Sequence, residues 1–111
     1  MAYLHEHCTD CFRILGQEWP EVHRWLDGLA GQYRDDHRRH RHHAEGIEAV
    51  RQKWGAEAAL AAKIHIVVDC WGIPRAIDYT TGRVNKFGFT QESTADDVDR
   101  HLQCIAQQHK K

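Results

Sequence analysis

The stretch that decides the fold is Asp27-Gly-Leu-Ala-Gly-Gln-Tyr-Arg-Asp-Asp-His37-Arg-Arg-His40-Arg-His-His43-Ala-Glu-Gly-Ile47-Glu-Ala-Val-Arg-Gln-Lys-Trp54. At ~100° per residue, Leu29, Tyr33, Ala44, Ile47 and Trp54 fall on one helical stripe. The spacing therefore predicts one long helix, capped by Asp27 and stopped by Gly55. His40 projects near the middle of the stripe, with His37 and His43 on its margins. His42 points nearly the opposite way. Arg41 and Glu45 are four apart and suited to pair across one turn.

Upstream, Leu4, Cys8, Cys11, Phe12 and Leu15 repeat as one helix face over roughly Tyr3 to Leu15, with Gly16 as the stop. Pro20 suits the first turn of a short helix through Trp25. Downstream, Ala56 to Ala62 is a strong helix former. It runs into Lys63-Ile-His-Ile-Val-Val-Asp69, whose β-branched residues favour a strand. With turn chemistry at Gly72-Ile-Pro74, residues 63–81 read as a short β-hairpin in preference to a continued helix. His65 and Asp69 share a side in either conformation. Thr94 caps a last helix whose stripe is Val98, Leu102 and Ile105. The expected fold is mainly α, with a minor α+β element. One long central helix and a short β-hairpin occupy a single domain over residues 1–111.

The composition narrows the function classes. Fifteen basic and sixteen acidic residues give a net charge of −1, which offers no global attraction to nucleic acid or anionic lipid. No apolar run approaches the ~20 residues that span a bilayer, and the start of the chain lacks the features of a secretory signal. Four cysteines in 111 residues are too few for a disulfide scaffold, so a cytoplasmic protein with reduced thiols is expected. Cys8-x-x-Cys11 has one half of a zinc-finger spacing, but no second pair follows and both lie on the apolar face. The basic run Arg34 to His43 is interrupted by Asp35 and Asp36. No Ser-His-Asp arrangement or phosphate-cradling glycine loop is present.

The segment His37-Arg-x-x-Arg41-His-His43-Ala-Glu45-Gly-Ile47, preceded by Val22-His-Arg-Trp25-Leu-Asp27 and by His7, resembles an uncharacterised family of small phage and bacterial proteins. The resemblance covers about residues 6 to 55 and departs from the family pattern at His40. His65-x-x-x-Asp69-x-x-Gly72-Ile-Pro74 is similar to a later stretch of the same family. That family has no established activity, so the resemblance implies a set of residues and no reaction.

Ten histidines point to metal chemistry, because imidazole is the commonest transition-metal ligand. His7, His23, His37, His43, His65 and Asp69 form the expected ligand set, with a divalent transition metal, zinc first, as cofactor. His37 and His43 lie ~9 Å apart along a helix axis, so one of them would join His7 or His23 and be closed by His65 or Asp69. For each histidine the competing reading is an imidazole at the core margin, satisfied by carboxylates and carbonyls. Two functions follow: a small histidine-rich metal-binding protein, extending to a metal-dependent hydrolase, or a metal-free phage or mobile-element accessory that binds a host protein or nucleic acid. An enzyme needs an open ligand position beside a pocket; an interaction protein needs an exposed patch and no converging ligands.

Overall fold

A computed structural model describes residues 4–110. Its first helix, α1, spans Leu4–Leu15 and ends where Gly16 takes a positive φ and donates to the Phe12 carbonyl. Tyr3, placed in that helix by the sequence, lies outside the described residues. Cys8, Cys11 and Leu15 face the core, whereas Phe12 is turned to solvent. The four thiols are free. Helix α2, Pro20–Leu26, begins with proline at its first turn, where a missing N–H costs nothing.

The expected long helix is broken. Residues 27–54 form α3 (Ala30–Tyr33), a 3-10 turn (Arg34–His37), α4 (Arg38–Arg41) and α5 (Ala44–Trp54). One break falls at Arg34, whose φ of 52° lies outside the helical region. The other falls at His42 and His43, the latter fully extended. Of the predicted stripe only Ile47 is buried. Leu29, Ala44 and Trp54 are half-buried, and Tyr33 is exposed. The periodicity misled because a straight helix would leave Arg38 and His42 on its polar side and His37 only at the edge of the stripe. The breaks turn all three inward, where they find partners.

The hairpin is also corrected. Residues 56–70 form one helix, α6 (Ala56–Cys70), followed by a short α7 (Ala76–Thr81). No strand occurs among the described residues. Helix α6 is the true centre of the fold and packs against α1, α2, α5 and α8 (Asp96–Lys110). Ala58, Ala61, Ala62, Ile64, Ile66, Val67 and Cys70 are wholly buried on its several sides. A helix covered all round shows no amphipathic stripe. Its β-branched residues each forfeit under ~1 kcal/mol of helix propensity, which burial at roughly 1.5–3 kcal/mol per aliphatic side chain outweighs. Gly55, at φ 101°, sets α5 and α6 at an angle without a loop between them.

Before α8, Thr94 receives half of a capping box, its N–H donating to Asp97. Among the described residues no helix is long and apolar enough to cross a membrane.

Candidate metal centre

Two breaks in helicity and the continuous helix α6 deliver side chains to one buried point. His65 and Asp69 come from α6 itself, one turn apart. Asp27 follows the end of α2. His42 enters from the kink between α4 and α5. Its carbonyl is held by the Tyr79 hydroxyl at 2.7 Å. The Arg38 guanidinium, itself buried, donates to the carbonyls of Asp69 (2.9 Å) and Phe87 (2.8 Å). Glycine is required at position 46, because a Cβ there would run into the Arg41 backbone carbonyl. This close approach lets α5 start directly behind His42.

The four ligand atoms lie within 4.8 Å of one another. His65 Nε2 lies 3.1 Å from His42 Nε2 and 3.2 Å from Asp27 Oδ1. It is 3.3 Å from Asp69 Oδ2. His42 Nε2 lies 3.3 Å from Asp27 Oδ1 and 3.4 Å from Asp69 Oδ2. An ion bound tetrahedrally at ~2.0–2.2 Å has ligand–ligand edges of ~3.3–3.6 Å, so a few tenths of an ångström of expansion would admit it. His65 Nε2 carries at most one hydrogen and faces two carboxylate oxygens and His42 Nε2, a nitrogen that donates or accepts according to its tautomer.

Two carboxylates in this setting require positive charge. Burial opposes ionisation of Asp27, but bonds from His37, His42 and His65 outweigh it and hold the carboxyl well below the usual range. Asp69 is depressed in the same way, burial being overcome by His42, His65 and His7. Burial presses the His65 pKa down, yet Asp27 and Asp69 more than compensate, and the net shift is upward. The pKa of His37 is raised too, chiefly by its bond to Asp27, so protons on His65 and His37 offset the carboxylate charge in the metal-free protein. A divalent ion with neutral imidazoles would cancel both carboxylates.

Around this cluster the other histidines are sorted by geometry. His23 Nδ1 sits 3.0 Å from His65 Nδ1, and His23 Nε2 sits 3.0 Å from the Glu18 carbonyl. Burial, then the charges of His65 and His7, push the His23 pKa down to about 3. His7 stacks on His65 with ring centroids 3.7 Å apart and planes inclined by 19°. Imidazole binds a metal in its ring plane, so two rings stacked this way cannot share one ion as they stand. Both His7 nitrogens and Asp69 Oδ1 lack a hydrogen-bond partner, and His7 Nε2 lies 3.4 Å from that oxygen. His37 Nδ1 donates to the Arg34 carbonyl at 2.5 Å, and its Nε2 lies 3.3 Å from Asp27 Oδ1.

Of the residues expected from sequence, His7, His23, His65 and Asp69 meet in the core, and His37 reaches the cluster through Asp27. His43 does not join it. Its Nδ1 accepts from the Gly46 N–H at 3.0 Å and caps α5. Asp27 and His42 were missed. Asp27 was taken for a helix cap, and the assumed straight helix turned His42 outward. The signal available for both was their place within the histidine-bearing stretches 22–27 and 37–47.

A surface pocket of about 430 Å³ is lined by Cys70, Trp71, Asp78, Arg83 and His101 and by none of the four ligand residues. Asp27, with 34 % of its side chain exposed, is the cluster member that solvent reaches; the Asp69 side chain is 2 % exposed and those of His42 and His65 are fully covered. Compared with known proteins, the chain matches no family model, no curated protein and no solved structure.

Proposed function

We propose that this protein binds one divalent transition metal, zinc in the first instance, through Asp27, His42, His65 and Asp69. The observation that carries the reading is the set of five ligand–ligand distances between 3.1 and 3.4 Å that gathers two imidazole nitrogens and two carboxylate oxygens at one buried point. Two imidazoles and two carboxylates suit zinc, and also manganese, iron or cobalt in their divalent states. Their summed charge of −2 makes the loaded centre neutral, which lowers the cost of burying it. The convergence of motif residues from the segment resembling the phage and bacterial proteins supports a shared role for this cluster.

The exposure of Asp27 favours a further step to a metal-dependent hydrolase. A water joining the ion would enter on that side and be polarised there. The accessory-protein reading loses its main support in the basic run. Arg38 is spent on two carbonyls, Arg41 on the Trp25 carbonyl, and His37, His42 and His43 are buried.

Elemental analysis of protein purified without an affinity tag tests the first claim, with one ion per chain expected. Cobalt substitution should give the intense visible bands of a tetrahedral centre. Protein that carries no metal and takes up none in titration calorimetry refutes it. Metal-dependent turnover of phosphate or amide esters, lost in Asp27→Asn, would establish the hydrolase; a loaded protein without turnover would leave a binding protein.

A further inference from the structure

The geometry points to His23 as a positioning residue, not a ligand: it accepts the Nδ1–H of His65 and thereby holds the His65 Nε2 lone pair toward the ion. This rests on the reading of His65 as a ligand and assigns the neighbouring imidazoles a different task.

A neutral imidazole has one hydrogen, and which nitrogen carries it is set by the partner of the other. His23 Nε2 lies 3.0 Å from the Glu18 carbonyl, which can only accept. The hydrogen of His23 is therefore on Nε2, and its Nδ1 presents a lone pair. That lone pair lies 3.0 Å from His65 Nδ1, which must then be the donor. The hydrogen of neutral His65 is fixed on Nδ1, and its Nε2 is left free to face Asp27, His42 and Asp69. A three-member relay runs from the Glu18 backbone through two buried rings to the centre. Metal-bound histidines commonly give their second N–H to a carbonyl or carboxylate. Here another histidine takes that place, and its own tautomer is fixed in turn by the backbone.

His7, His23 and His65 also stand close enough to suggest a second ion. The near-parallel stacking of His7 on His65 argues against it.

The test uses the full chain labelled with ¹⁵N-histidine, with and without zinc. A scalar coupling across the hydrogen bond between His65 Nδ1 and His23 Nδ1 is expected in both states. Zinc affinity is measured for His23→Asn, whose side-chain oxygen can replace the Nδ1 acceptor, and for His23→Leu, which has none. The expected result is affinity within roughly threefold of wild type for Asn and a loss of roughly 10–100-fold for Leu. In His23→Leu the His65 hydrogen should also distribute over both nitrogens in the metal-free protein. Equal affinities in all three proteins, absence of the coupling, or two zinc ions per chain with one lost in both variants would overturn the assignment. A coupling that persists in a protein with no zinc affinity would refute the metal reading and leave the relay standing.

Discussion

His42 Nε2 and His65 Nε2 face each other across 3.1 Å inside the protein, with no solvent at either ring. Two bare lone pairs at that distance repel, so a proton or a cation must lie between them and the adjoining carboxylates. The two compete for one place. Zinc should therefore raise the unfolding temperature, and binding should weaken as pH falls. At a free zinc concentration a thousandfold above Kd the gain is about 4 kcal/mol. Calorimetric melts with and without zinc check this, and His65→Gln and His42→Gln should each abolish the shift.

His43 provides a contrast one residue along the chain from a proposed ligand. It caps α5 and touches no cluster atom, so His43→Ala should keep full metal content. Loss of the cap should cost roughly 0.5–2 kcal/mol of stability. Elemental analysis combined with urea unfolding separates the two effects. A His43→Ala protein without metal would show that the cap is not its main role.

Gly46→Ala should be among the most damaging single changes outside the site. A methyl group at this position collides with the Arg41 carbonyl, a backbone atom that cannot swing aside. The cost should exceed ~3 kcal/mol, beyond the usual range of overpacking. Soluble expression and chemical unfolding provide the measurement. A stable Gly46→Ala protein would mean that α5 can shift away from α4.

Acid should weaken the metal-free fold through His23. Its folded pKa, about 3, lies below the ordinary 6.5, so the unfolded chain takes up the proton first. Stability is present above 6.5 and is lost as pH falls from there toward about 3. His65 works in the other sense: its raised pKa contributes stability below the ordinary value, lost as pH rises through the folded one. Urea midpoints of metal-free His23→Asn should accordingly fall less between pH 6.5 and 4 than those of wild type. Parallel curves would show that His23 is not the source.

Much of this architecture was legible from sequence, and the exceptions share a cause. Helix α1, the proline start of α2 and the apolar stripe of α8 follow local rules, since each has one wet and one dry face. Helix α6 is covered on most of its sides, so its Ile64–Val68 run gave the strand signal that isolated propensity gives. Residues 34–43 are polar throughout, so hydropathy does not distinguish those that turn inward. His37, Arg38, His42 and His43 are buried, His37 and His42 against Asp27 and Arg38 on two backbone carbonyls. A wheel projection cannot show this, because it assumes the unbroken helix that these partners disrupt. Hence His65 and Asp69, whose spacing is the same in strand and helix, were found, and His42 was not.

Arg38 gives the chain an unexpected dependence. Its guanidinium joins the carbonyl of Asp69 to that of Phe87, and Phe87 belongs to the stretch between α7 and α8 that lacks helix. One arginine thus fastens an irregular surface segment to the backbone of a proposed ligand. Such segments normally open on their own, at low local free energy. This one is fastened to the wall of the cluster, so opening it and loosening the cluster become one cooperative event. Protease cutting between residues 82 and 95 should then follow zinc occupancy, slow in the loaded protein and fast after chelation, although no residue there touches the ion.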